Sequence, residues 1–369
     1  MTQKTWISDT SSIGDGDADE GGIDEQTPME IEDDIVIGDA IECVGWWMAG
    51  VGTSDGMVVG EWATSKGGDT VYYVKKWHDS SDKGNDLIHN QIGEGPQIYG
   101  AHSYYLGTQA DEVGSGGATY PVAHFSTITS GTAPLTRQLF LKCNASVNSD
   151  FMLGNNSDDT KHLSFIAVCR HHYAEDDLDS TGTSHTNVED MGIVASAVTG
   201  EGEGWGLGFS EGNVTTTLGG TINMPTKASF GLENSTGDIH AYSSPTATGI
   251  RDVDNKYGIL QVWQANGEND APNNFENVSV GTFRPSSYNY VGQTYSDGTI
   301  TESSGIGDGN LYIGKTKFNI GAASTTNPLA QNFEGRIVEM ACWKSDNPIS
   351  AYKRAQVLQY FKNKFSNDI

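Results

Sequence analysis

From Ile41 onward the chain reads as short runs of β-branched, aromatic and aliphatic residues, separated by clusters of Gly, Asn, Asp, Ser and Thr. That texture predicts strands joined by turns, at residues 42–48, 56–63, 70–77, 138–142, 163–171, 193–197, 204–209, 227–232, 257–264, 310–313 and 336–344. Trp205, Leu207 and Phe209 alternate with glycines, which gives one apolar face. Ile337, Val338, Met340 and Trp343 form a more continuous run, expected of a strand covered on both sides. The polar stretches 173–190, 265–305 and 320–332 read as surface loops. A single segment has helical period. Behind Asn347-Pro348, Ser350 is placed to cap a helix over 351–365, with Val357, Leu358, Phe361 and Phe365 on one stripe. Lys353, Arg354, Lys362 and Lys364 are expected to face solvent.

Residues 1–40 have a different pattern. Between residues 11 and 34 stand Asp15, Asp17, Asp19, Glu20, Asp24, Glu25, Glu30, Glu32, Asp33 and Asp34, without one basic residue. The stretch has almost no apolar content until Ile31, Ile35, Val36 and Ile37. By itself such a segment buries too little surface to offset its ordering entropy. The expectation is an acidic docking arm, residues 1–40, which meets a partner through Ile31, Ile35, Val36 and Ile37, ahead of one domain at 41–369.

Composition sharpens this picture. The net charge of −27 repels phosphate backbones and excludes nucleic acid as a partner. No apolar run approaches the roughly 18 residues of a membrane-spanning helix, so no membrane partner is expected. Gly at 46 against Pro at 10 suits many turns between short strands, and 8 Trp, 15 Tyr and 12 Phe can fill a sandwich core. Cys43, Cys143, Cys169 and Cys342 lie far apart with no CxxC pair, so they read as buried small hydrophobes made in a reducing cytoplasm. The first ten residues show neither a basic stretch nor an apolar core, and no secretory signal is read there.

Two stretches then carry a family resemblance. Trp77-His78-Asp79-Ser80-Ser81-Asp82-Lys83-Gly84-Asn85-Asp86, with Pro96-Gln97-Ile98-Tyr99 after it, resembles the W-x-D-x-S-x-x-G-N-D and P-x-x-Y elements that open concanavalin A-like, laminin-G-like jelly rolls. Leu311-Tyr312-Ile313-Gly314, the run Phe333 to Met340 and Tyr360 to Phe365 resemble the family's closing strands and helix. Spread over roughly residues 42 to 366, the resemblance implies an all-β fold. The expected architecture is a two-sheet antiparallel jelly-roll sandwich, with an acidic N-terminal arm and one C-terminal amphipathic helix.

The fold does not name the activity, so candidate chemistry is weighed residue by residue. Laminarinase-type relatives use an E-x-D-x-x-E strand; here only Glu30-Ile31-Glu32-Asp33-Asp34 comes near, without the last glutamate, and Glu339 is alone on its strand. No catalytic residue is assigned. Asp15, Asp17 and Asp19, with Glu25, begin like an oxygen-ligand loop for calcium, yet Glu20 and Gln26 stand where an EF-hand needs Gly and Glu. No other cofactor is indicated. Asp79, Asp82, Asn85 and Asp86 are better explained as turn makers than as cation ligands. Tyr288, Tyr290 and Tyr295, in the polar stretch 265–305, are the candidate glycan platform.

Laminin-G-like jelly rolls recur among structural proteins of tailed phages. With the acidic arm and unpaired thiols, the resemblance implies a non-enzymatic virion protein, made in a host cytoplasm and decorating the capsid or another external part. Its partners would be neighbouring virion subunits, with a homo-oligomer if the arm threads between copies. The alternative is a glycan-binding adhesin or tail-fibre module, and a glycoside hydrolase stands behind both.

Overall fold

A computed structural model describes residues 25–32, 41–48, 57–62, 71–89, 97–99, 112–113, 120–125, 141–144, 150–151, 162–171, 191–197, 204–215, 221–233, 239–243, 257–265, 278–284, 289–295, 310–313, 333, 335–345 and 349–365. A short 3-10 turn at Glu30–Glu32 precedes strands β1 (Ile41–Trp47), β2 (Met57–Trp62), β3 (Val71–Trp77), β4 (Leu87–His89), β5 (Gln97–Tyr99) and β6 (Glu112–Val113). Then come β7 (Tyr120–Phe125), β8 (Leu141–Asn144), β9 (His162–His171), β10 (Met191–Ala197), β11 (Gly204–Thr215) and β12 (Thr221–Glu233). They are followed by β13 (Ile239–Ser243), β14 (Gly258–Ala265), β15 (Val278–Arg284), β16 (Asn289–Tyr295), β17 (Asn310–Ile313), β18 (Gly335–Ser345) and helix α1 (Ala351–Phe365).

The strands make two antiparallel layers. In the first, β16, β15, β14, β9 and β18 are neighbours in that order, and β1 and β7 share the far edge of β18 end to end. The second runs β2, β3, β4, β8, β17, β10, β11, β12, β13. Strand β5 touches β3 on one side and β7 on the other, joining the layers at one corner. The result is a jelly-roll sandwich.

Side-chain alternation sorts the core into two compartments. Between the layers, Trp205, Leu207 and Phe209 of β11 meet Phe165 and Ala167 of β9, Val262 of β14 and Met340 and Cys342 of β18. The opposite face of the first layer carries Ile166, Val168, Ile259, Trp263, Val338, Ala341 and Trp343, and α1 covers it with Val357, Phe361 and Phe365. β18 is therefore buried on both faces, as its continuous apolar run predicts. Consecutive tryptophans divide the same way. Trp47 enters the inter-sheet core and Trp46 the helix side. A β-carbon on Gly45 would stand 2.4 Å from the Trp47 ring, so only glycine fits there.

Ser350 caps α1 as expected: its Oγ accepts from the Lys353 N–H at 3.3 Å, and its carbonyl accepts from the Arg354 N–H at 3.1 Å. The basic residues of α1 differ from expectation. Lys353 and Arg354 are 8% and 5% exposed, and the Lys364 side chain only 10%. Lys353 is covered by the segment 25–32, whose Ile31 carbonyl it reaches; Arg354 lies over the Trp263 ring, and Lys364 turns inward to Glu339.

The stretch 265–305 is not one loop either, since β15 and β16 pair along their whole length within it. Neither strand shows an apolar run, because Gly281, Gly292 and several Ser, Thr and Asn interrupt the pattern. Cross-strand pairing supplies what local sequence does not. No helix among the described residues is long and apolar enough to cross a membrane.

Candidate functional site

Residues 25–32, within the stretch expected to be an acidic arm, form a strap on the helix-covered face. Thr27 and Glu30 make a capping box: the Thr27 N–H donates to Glu30 Oε2 at 2.7 Å, and the Glu30 N–H to Thr27 Oγ1 at 3.4 Å. Their reciprocal bonds turn the chain so that Ile31 enters the second core, fully buried. That side chain contributes roughly 1.5–3 kcal/mol by burial. The strap's main chain is held from below. Trp343 Nε1 donates to the Pro28 carbonyl at 2.8 Å, Lys353 Nζ to the Ile31 carbonyl at 2.8 Å, and the Gln26 N–H to the Gln356 carbonyl at 3.3 Å. Asn363 Nδ2 reaches Glu25 Oε2. Glu25 thus sits toward the C-terminal end of α1 and Ile31 toward its start, so strap and helix run antiparallel.

Beneath the same helix lies a polar hub. Glu339 is fully buried on β18, and its Oε1 accepts from Trp46 Nε1 at 2.8 Å and from the Tyr360 hydroxyl at 3.0 Å. Lys364 Nζ donates to Glu339 Oε2 at 2.7 Å and to the Tyr360 oxygen at 2.8 Å. The Trp46 and Tyr360 rings meet edge to face at 6.2 Å. A carboxylate that accepts from an indole, a phenol and an ammonium ties α1 to β1 and β18. At the other end of the helix, Trp263 stacks on Trp343 at 5.6 Å, with the Arg354 guanidinium 5.8 Å from the Trp263 ring.

The motif at Trp77–Asp86 is a third cluster, and it serves the backbone. Asp79 accepts from the N–H groups of Trp46, Ser81 and Asn85 and from the Ser81 hydroxyl, all between 2.7 and 2.9 Å. Burial pushes the Asp79 carboxyl up from its ordinary value, while these four donors pull the other way. Asp86 is lowered; burial acts upward, but the Lys76 ammonium and the Asp79 N–H outweigh it. Asn85, fully buried, donates to the Val44 carbonyl and to Asp150 at 2.7 and 2.9 Å. Gly84 turns the chain at φ 70°, in the left-handed region that favours glycine. These residues are spent on fastening β1 to the β3–β4 turn, as turn makers.

The sequence-predicted site residues fall out unevenly. Ile31, expected to be exposed for a partner, instead packs into the chain's own core, because the capping box folds it inward. Ile35, Val36, Ile37, Asp15, Asp17, Asp19 and Tyr288 lie outside the described residues. Glu25 bonds Asn363, so it belongs to the strap. Tyr290 and Tyr295 stand on strand β16 and not in a loop, opposite Phe283 and Val278 of β15. Among the described residues no group of three or more His, Cys, Asp or Glu could hold a metal ion. All four cysteines are buried and none forms a disulfide. The contacts of Trp343, Lys353 and Glu339 were missed. The T-x-x-E spacing of Thr27 and Glu30 was the signal that could have located the strap.

No protein-family model matches the chain, and no curated protein matches it in sequence. Solved structures do show similarity. An arabinofuranosidase complexed with arabinofuranosyl-α-1,2-xylobiose aligns at 11% identity and TM-score 0.48, over 92% of this chain and 65% of that one. The binding domain of botulinum neurotoxin serotype G aligns at 11% identity and TM-score 0.38, over 76% of this chain and 48% of that one. A three-domain region of the laminin α2 chain aligns at 8% identity and TM-score 0.28, over 53% and 29%. The chain therefore spans less than two thirds of each of these structures.

Proposed function

We propose that this protein is a non-enzymatic structural component of a virion exterior, which docks through its acidic N-terminal arm. The observation that carries the reading is the strap: residues 25–32 fix the root of the arm on the helix-covered face. The residues before it, with Asp9, Asp15, Asp17, Asp19, Glu20 and Asp24, then act from a defined point. The net charge of −27 suits an outward surface better than one against packaged nucleic acid. The resemblance to laminin-G-like jelly rolls, which recur among phage structural proteins, is the ground for proposing capsid or neighbouring subunits as partners. Glu339, the carboxylate that a hydrolase reading would use, is engaged with Trp46, Tyr360 and Lys364 in holding the helix.

Glycan recognition is the second reading, favoured by the placement of Tyr290 and Tyr295 on β16, which lies at the end of the first layer's strand order. Co-sedimentation with purified particles lacking the protein, run with and without EDTA beside a glycan array, separates the two. Saturable particle binding without glycan binding supports docking, and EDTA sensitivity would assign calcium to Asp15, Asp17 and Asp19. Glycan binding with no particle binding would overturn it.

A further inference from the structure

We propose that the strap is exchangeable, so that the α1 groove of one copy takes residues 25–32 from a second copy of this chain. The inference deepens the docking reading by naming the partner of the arm's root. The strap's side-chain-mediated bonds to the body of the fold span 315 positions for Pro28–Trp343, 322 for Ile31–Lys353 and 338 for Glu25–Asn363, while its 3-10 turn also packs on β1. In physical terms the strap is a tethered peptide ligand. Three of its bonds use main-chain groups of Gln26, Pro28 and Ile31, and one side chain, Ile31, fills an apolar pocket.

An identical strap from another copy can make the same contacts, which is the condition for swapping. What favours the chain's own strap is the tether alone. The connection 33–40 spans at most about 28 Å, and a link of that length gives an effective concentration on the order of millimolar. A second copy competes once neighbours are held at similar local density, as on an ordered particle surface. Dilute protein keeps its own strap; packed copies trade them.

The test uses the full-length chain carrying Ile31→Asp, which disables its own strap, and a fluorescent peptide of residues 25–32. Saturable binding is expected, at least about tenfold tighter to the variant than to wild type, whose strap competes. A peptide carrying Ile31→Asp should lose roughly tenfold or more in affinity, the scale of one buried aliphatic side chain. Absence of peptide binding by a variant with native near-UV circular dichroism would overturn the proposal. Should the variant fail to fold, wild-type chains with 14N and 15N are mixed up to millimolar concentration, and Lys353 is cross-linked to carboxylates of 25–32. Mixed-isotope products rising with concentration support exchange, and same-isotope products at every concentration refute it. No particle enters either assay, so failure of exchange and failure of particle docking are told apart.

Discussion

Glu339 illustrates how one residue divides structural from catalytic chemistry. A glycosidase carboxylate must face a cleft and a second carboxylate across the bond. Glu339 faces Trp46, Tyr360 and Lys364 under a helix. Glu339→Ala therefore strands the buried Lys364, and urea unfolding should show a loss of roughly 3–5 kcal/mol. Asp79→Ala should cost on the order of 3 kcal/mol in the same measurement, because three backbone N–H groups and the Ser81 hydroxyl lose their acceptor. The thiols give the pH dependence. Burial, followed by nearby Asp79, Asp86 and Asp150, pushes Cys143 up to about 12, and burial drives Cys169 and Cys342 further. An unfolded thiol releases its proton near pH 8.5, so the native state holds protons that the unfolded state has lost. Stability is complete below that pH. Above it, each of these thiols removes about 1.4 kcal/mol per pH unit up to its folded value. Thermal melts between pH 7 and 11 check the sign, and iodoacetamide should label none of the four native cysteines while labelling all four in guanidinium.

At the scale of elements, α1 and the strap form one cover over the first layer. Ile31→Ala should cost about 2–5 kcal/mol as a large-to-small core change. The loss should appear as hydrogen exchange and proteolysis around 25–32, ahead of exchange in β9 or β18, which are flanked on both sides by other strands. The helix was legible from Ser350 and its apolar stripe, and β11 from Trp205, Leu207 and Phe209 among glycines. Strand β16 was not legible, since Asn289–Tyr295 has no alternating apolar set and becomes a strand by pairing with β15. The three-residue strands β4 and β5 depend on neighbours in the same way. Lys353 reads as solvent-facing because helical period locates the apolar stripe but not what crosses over the rest. The strap crosses there from over 300 residues upstream.

At the scale of the molecule, two compartments share the first layer, and residues 25–32 complete the outer one. The docking proposed for residues 1–24 would have a mechanical consequence, because force applied there would be delivered to Trp343 and α1 through Pro28 and Ile31. The charge pattern reads as an acidic arm over residues 1–40, of which 25–32 are described and lie on the fold. That boundary was not legible, since Thr27, Glu30 and Ile31 look like the surrounding polar sequence until the capping bonds are seen. The truncation that isolates docking must accordingly start at Glu25 and leave the strap whole. Full-length protein and a chain of residues 25–369 would be titrated onto particles that lack the protein, with thermal melts confirming that both are folded. The account predicts saturable binding by the full-length chain and a loss of at least about tenfold in affinity for the truncated one, steepening as salt is lowered. Equal binding by the two chains would contradict it and move the contact surface to the jelly roll itself.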